Sequence, residues 1–422
     1  MSAQTKGETA NQAPLFQVDA ASSVPGKTSL SPKRPRVEKS GLADIFPYYA
    51  GFSFEWACRE LRRHPIRVEE PILDPWNGSG TTTLAARLIG LASVGVDRNP
   101  VANVVAQLRL RSGAVSISEG DSPPGSRDLD PSDPLLSWFE SETASRLRDW
   151  TRYSESLPQS QSALTYVSLF NVVRALTGSF QGSNPTWIRR TGPNRPRVAV
   201  PLDVLDGLVR NERSRIADRL PQRVDASGPV VLATGSSRSL PLSDSCVGRV
   251  LTSPPYLTRI DYAIAYAREF ALVGVNVFED REIRSELMGT TLIRTNTPDS
   301  LPLGTVASSL LEQISAHASR ASNGYYLKQA RQYFDDLTCS LDEISRVCVA
   351  GAIMTLVVQD SYYKELPIHL GAICKEEAER RGWDLVEEVP FEVNRSLVSL
   401  NKSARQYQKG PVSETVVTLR KQ

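Results

Sequence analysis

The chain has 422 residues, 40% hydrophobic and 23% charged, with a formal net charge of +2. That length exceeds one ordinary core, so a large domain with insertions, or two domains, is expected. The small net charge excludes a uniformly basic nucleic-acid coat and leaves any basic surface to local clustering. Five cysteines without a C-x-x-C pair and three histidines lie scattered along the chain, so neither a zinc site nor a disulfide framework is expected and no metal is assigned. No apolar run approaches the roughly 18 residues that cross a bilayer. The polar N-terminus lacks a secretory apolar core, so a cytoplasmic protein is expected.

Residues 1–44 are rich in Ser, Pro, Gln, Lys and Thr and read as a disordered tail, with Lys33-Arg34-Pro35-Arg36 as a solvated basic run. Phe54, Ala57, Cys58 and Leu61 recur at helical spacing. Next come a short strand at Pro71-Ile72-Leu73-Asp74, a glycine turn, a helix from about Thr82 to Ile89 and a strand ending at Asp97. Strand, turn, helix and strand form one βαβ unit, so an α/β, doubly wound, Rossmann-like sheet is predicted. Residues 45–111 form its first half, and 112–228 read as a linker followed by a mostly helical insert. Strand patterns return within 229–274, at Pro229 to Ala233 and Val247 to Leu251. Residues 275–324 read as a second, irregular insert interrupted by Pro298 and Pro302. A helix near Leu327 to Val347, a buried strand at Ala352 to Val358 and a closing strand pair (383–389 and 414–419) complete the core over 325–422.

Two short stretches carry chemistry. In Asp74-Pro75-Trp76-Asn77-Gly78-Ser79-Gly80-Thr81-Thr82 the glycines let backbone approach a ligand closely. Asp97, ending the next strand, is placed to accept hydrogen bonds from a ribose diol. The turn lacks the third glycine of a dinucleotide site and the lysine of a P-loop. Asp74 suits a cation better than a phosphate. Later, Thr252-Ser253-Pro254-Pro255-Tyr256 follows a strand. Paired prolines remove two amide donors and leave acceptors, so the Ser253 hydroxyl and Pro254 carbonyl can grip an amino group while Tyr256 offers a face for a base taken from its stack. A conjugated exocyclic amine is a poor nucleophile, and orienting it toward an electrophilic methyl supplies much of the needed acceleration.

Together these stretches resemble the amino-methyltransferases of bacterial restriction–modification systems, of the Ser-Pro-Pro-Tyr subgroup. The resemblance covers roughly residues 45–110, 229–274 and 325–422. It implies a class I methyltransferase fold, S-adenosylmethionine as cofactor, double-stranded DNA as substrate with base flipping, and a cognate restriction endonuclease or defence-system subunit as partner. In its terms Asp74, Pro75, Asn77, Gly78, Ser79, Gly80, Thr81 and Asp97 belong to the cofactor site, and Ser253, Pro254, Pro255 and Tyr256 to the catalytic loop. Phe46-Pro47-Tyr48-Tyr49-Ala50-Gly51-Phe52 is similar to the aromatic motif that closes over the methionine part, which adds Tyr48 and Phe52. Leu257-Thr258-Arg259-Ile260-Asp261-Tyr262 resembles the extension of the subgroup, with Arg259 as a candidate DNA contact. Ser236 stands near the cofactor's adenine where many relatives carry an aspartate, and Gly248 where an aspartate often precedes the tetrad.

A serine-led tetrad favours N4 of cytosine over N6 of adenine. Carbon-5 methylation needs a cysteine after a proline, and no Pro-Cys pair occurs. An RNA base methyltransferase and an inactive DNA-binding subunit stay open as alternatives. The first insert holds Arg189, Arg190, Arg195 and Arg197, then Arg210, Arg213, Arg215, Arg219 and Arg223, and is the candidate target-recognition region. Arg281, Arg284 and Arg294 of the second insert, and the polar loop from Asn394 to Lys409, are rival elements.

Overall fold

Five strands are short segments rich in apolar residues. They are β1 (Ile72–Asp74), β2 (Ser93–Asp97), β3 (Val230–Thr234), β4 (Val247–Thr252) and β5 (Cys348–Gln359). In the computed structural model they run parallel, and β8 (Trp383–Glu392) and β9 (Ser413–Lys421) close the sheet in the order β3-β2-β1-β4-β5-β9-β8. Only β9 is antiparallel to both its neighbours. A separate two-stranded hairpin joins β6 (Ser361–Tyr363) to β7 (Leu366–Ile368). The structure describes residues 31–32, 45–48, 51–64, 69–111, 115, 122–125, 128–182, 187–220, 228–257, 260–298, 300–392 and 410–422. The run Lys33 to Arg36 and most of the tail, Tyr49, Ala50, Arg223, Thr258, Arg259 and the loop from Asn394 to Lys409 lie outside these described residues.

Adjacent residues of the central strands point to opposite faces. Ile72, Leu251 and Val357 pack with α1 (Phe54–Arg63) and α2 (Thr81–Leu88) on one face. Leu73, Val250 and Leu356 pack on the other with α10 (Thr305–Ala316), α11 (Leu327–Val347) and α12 (Leu370–Glu379). A third core joins α3 (Pro100–Arg109) to the insert helices α4 (Ser141–Glu155), α5 (Gln159–Leu176) and α6 (Leu202–Arg219), and to α8 (Ala267–Leu272). The first insert is therefore helical as expected, and its apolar interior is continuous with the sheet's own helices. Among the described residues no helix is long and apolar enough to cross a membrane.

The second insert departs from the expectation of an irregular stretch. It contains α9 (Arg281–Glu286) and the twelve-residue α10, whose Ala307, Leu310 and Ile314 are buried at helical spacing. Pro298 and Pro302 precede α10 instead of interrupting it, so they cost the helix nothing. Likewise Pro100 opens α3 at its first turn, where no amide donor is needed, and Asn99 caps it by accepting from the Val101 N–H at 3.0 Å.

Candidate active site

Parallel strands deliver their C-terminal ends to one edge, and there Asp74, Asp97, Ser236 and Ser253 line a single cleft. The glycine turn is shaped from within. Gly78 and Gly80 hold φ values of +49° and +78°, left-handed conformations that favour glycine. A Cβ on Gly78 would stand 2.9 Å from the Tyr48 ring, which itself stacks on Tyr266 at 5.1 Å. Asp97 Oδ2 accepts from the Gly78 N–H at 2.7 Å and Oδ1 from the Asn99 N–H at 2.8 Å. The turn and its acidic partner are thus one unit, and burial pushes the Asp97 carboxyl up to about 6.

Two supports of this unit escaped the sequence reading. Arg109, buried on α3, donates to the Ser79 carbonyl at 2.7 Å and to its hydroxyl at 2.8 Å. Gly95 faces Asn77 so closely that a Cβ there would stand 2.4 Å from Asn77 Cγ. A glycine inside a strand, where close approach is the usual reason, was the available signal.

Asp74 joins the two motifs. Its Oδ2 accepts from the Thr82 hydroxyl and its Oδ1 from the Thr252 hydroxyl, each at 2.6 Å, while the Trp76 N–H adds a bond at 3.1 Å. Burial raises its carboxyl to about 6 despite these three donors. Thr252 immediately precedes the tetrad, so this one carboxylate clamps the cofactor turn to the catalytic loop across 178 residues of sequence. In that loop the Ser253 and Tyr256 hydroxyls lie 3.4 Å apart, and the Tyr333 hydroxyl donates to the Pro255 carbonyl at 2.8 Å.

Of the sequence-assigned residues, Tyr48, Phe52, Asp74, Pro75, Asn77 and Gly78 reach the cleft wall. So do Ser79, Thr81, Asp97, Ser236, Ser253 and Pro255. Gly80, Pro254 and Tyr256 are not part of that wall. Tyr256 is packed in the apolar cluster of α11 and only 9% exposed, whereas Tyr262 of the extension does line the cleft. Ser236 accepts from the Arg238 N–H at 3.2 Å. Gly248 pairs near the start of β4, where a Cβ would meet Glu70 at 2.4 Å; an aspartate there would not have faced the cleft.

The second insert covers the cleft with Glu286, Leu287 and Met288, and Arg98 beside Asp97 forms an ion pair with Glu286. Asp261 caps α7 (Tyr262–Ala265) with one oxygen and accepts with the other from the Thr291 hydroxyl at 2.6 Å and Arg284 at 3.0 Å. Arg284 and Arg294 of the rival recognition element are thus both held in internal ion pairs, Arg294 with Asp336 at 2.6 Å. In the first insert Arg213 is 1% exposed, over the rings of Trp150 and Tyr153, and Arg215 pairs with Glu212. Arg189, Arg190 and Arg197 remain exposed. Arg195 lies over Phe180 at 5.8 Å, and Arg190 lies over Phe278 of the second insert at 4.5 Å. The two candidate recognition elements meet at that contact.

A ligand with a cation at one end and a ribose diol in its middle fits two carboxylates on neighbouring strand ends, and S-adenosylmethionine has that make-up. The sheet order, with antiparallel β9 between β5 and β8, is that of a class I methyltransferase fold. In sequence the chain is similar to type II methyltransferases: it is 23% identical over 282 residues to M.BsoBI of Geobacillus stearothermophilus, covering 58% of this chain and 55% of that one. It is 25% identical over 160 residues to M.AvaI of a Nostoc species, covering 35% and 32% respectively. The chain thus spans about half, and about a third, of the lengths of these relatives. No family model matches. An S-adenosylmethionine-dependent methyltransferase of Methanosarcina mazei aligns at a TM-score of 0.30 and 9% identity over 84% of this chain and 94% of that one, too low to argue from.

Proposed function

We propose that the chain is a DNA methyltransferase that transfers the methyl group of S-adenosylmethionine to the exocyclic N4 amine of cytosine. The observation that carries this reading is the Thr252–Asp74 hydrogen bond, which sets Ser253 and Asp97 on the wall of one cleft. Bound S-adenosylmethionine supplies a methyl group made electrophilic by its sulfonium charge. Asp74 offers a buried negative charge to the ammonium end, and Asp97 keeps acceptor capacity for the ribose diol beyond its two backbone bonds. The Ser253 hydroxyl accepts an N–H of the target amine, holding the nitrogen lone pair toward the methyl. Burial of the loop against α11 keeps these acceptors from reorganising as positive charge develops on the amine. The resemblance of the two loops to restriction–modification amino-methyltransferases supports DNA as the polymer, and the exposed arginines Arg189, Arg190 and Arg197 suit a phosphate backbone.

Modification-sensitive sequencing of DNA from cells that express the chain tests this directly. N4-methylcytosine at one short sequence is expected. N6-methyladenine would move the target atom, and modified RNA with unmodified DNA would overturn the DNA reading. DNA binding without S-adenosylmethionine binding would make the chain an inactive subunit.

A further inference from the structure

The catalytic loop follows β4, on one side of β1, and the ribose-type acceptor Asp97 ends β2, on the other. A ligand whose sulfonium faces Ser253 and whose ribose meets Asp97 must therefore extend its base toward the end of β3. Ser236, Ser237 and Arg238 stand there, and Leu287 and Met288 line the same cleft with buried apolar side chains suited to a flat ring. Asp336 completes this corner from α11 and is 1% exposed. Along that helix it lies between Tyr333, which holds the Pro255 carbonyl, and Ser340, which bonds the Ser237 hydroxyl at 2.8 Å.

The two oxygens of Asp336 are used unequally. Oδ1 meets Arg294 at 2.6 Å and Arg238 at 3.2 Å. Asp335 pairs with the same two arginines at 3.3 Å and 3.0 Å, so their charge is answered twice. Oδ2 of Asp336 is buried with no hydrogen-bond partner among the described residues. A buried acceptor of this kind calls for a donor.

Resting on the methyltransferase reading above, we propose that Asp336 accepts a hydrogen bond from the exocyclic amine of the cofactor's purine and so selects an aminated base. Calorimetry on the full chain tests it with S-adenosylhomocysteine and the analogue lacking the purine 6-amino group. The wild type should bind the amine-free ligand about tenfold more weakly, the size expected of one hydrogen bond to a charged group. In Asp336→Ala the ratio should fall to within about twofold, and in Asp335→Ala it should persist. Equal binding of both ligands by the wild type overturns the inference, whether or not the variant folds. A ratio that survives in Asp336→Ala also overturns it and leaves the residue a structural role. If discrimination appears instead between duplexes with and without the target-base amine, Asp336 belongs to the target base and the cofactor assignment fails. Binding of neither ligand by the wild type overturns the methyltransferase reading together with this one.

Discussion

The strand-end cleft and the first insert differ in how they use polar side chains. In the cleft every assigned carboxylate is turned inward. Asp74 and Asp97 each accept from neighbouring donors, and these bonds hold two distant loops together. In the insert, arginines close in sequence divide between two tasks. Arg213 is sealed against Trp150 and Tyr153, whereas Arg189 and Arg197, a short distance earlier, are exposed. The cleft is organised by hydrogen bonds made before any ligand arrives, and the exposed arginines of the insert present positive charge to solvent. Preorganisation belongs to the first region and attraction to the second.

Substitutions can sharpen or break that contrast. Ser253→Ala removes one oriented acceptor from the cleft, and single-turnover methylation should fall about a hundredfold or more. Its affinity for S-adenosylhomocysteine should stay within about twofold. Unchanged turnover would take Ser253 out of the reaction and weaken the case for a preorganised loop.

Asp97→Ala should weaken S-adenosylhomocysteine binding by about ten- to a hundredfold, as expected when hydrogen bonds to a charged acceptor are lost. The same site predicts a pH dependence. The Asp74 and Asp97 carboxyls stand at about 6, above the ordinary value of 3.8, chiefly because burial disfavours their ionised forms. A raised carboxyl value stabilises the ligand-free chain at low pH, and this contribution is lost as pH rises through about 6. An ammonium and a diol favour the ionised carboxylates. Ligand affinity should therefore drop as pH falls from 7 to 5, with a smaller ligand-induced rise in Tm. An affinity independent of pH would show that these two carboxylates do not meet the ligand.

The smallest effects should separate the two kinds of arginine. Arg197→Ala should weaken duplex binding a few-fold and lower the salt dependence by about one counterion, with Tm unchanged. Arg213→Ala should do the reverse, lowering Tm by removing a buried side chain from two aromatic rings while leaving the salt slope intact. If both variants behave alike, the division of the insert into an inner and an outer arginine set fails.

Much of the fold was legible because its signals are local. Short apolar-rich segments bounded by turns marked all five parallel strands, and helical spacing marked α1, α2 and α11. The glycine turn and the tetrad were readable for the same reason, since each works through a few adjacent residues. The overlooked α10 shows where such reading stops. Pro298 and Pro302 suggested irregular chain, but a proline ahead of a helix removes no bond from it. Tyr256 shows a second limit: its ring packs among the side chains of α11, and the cleft takes Tyr262 instead.

By itself, the sequence determined the strand-and-helix order, the two chemistry-bearing loops and the abundance of arginine in the inserts. Backbone propensity and apolar spacing operate over a few residues, so they are written where they act. Tertiary structure alone decided that Asp74 would bridge the two loops, that Arg109 and Gly95 would shape the turn, and which arginines would face solvent. Those outcomes depend on hydrogen bonds and contacts between segments tens to hundreds of residues apart. Such bonds depend on where folding brings the segments, and no local pattern records that.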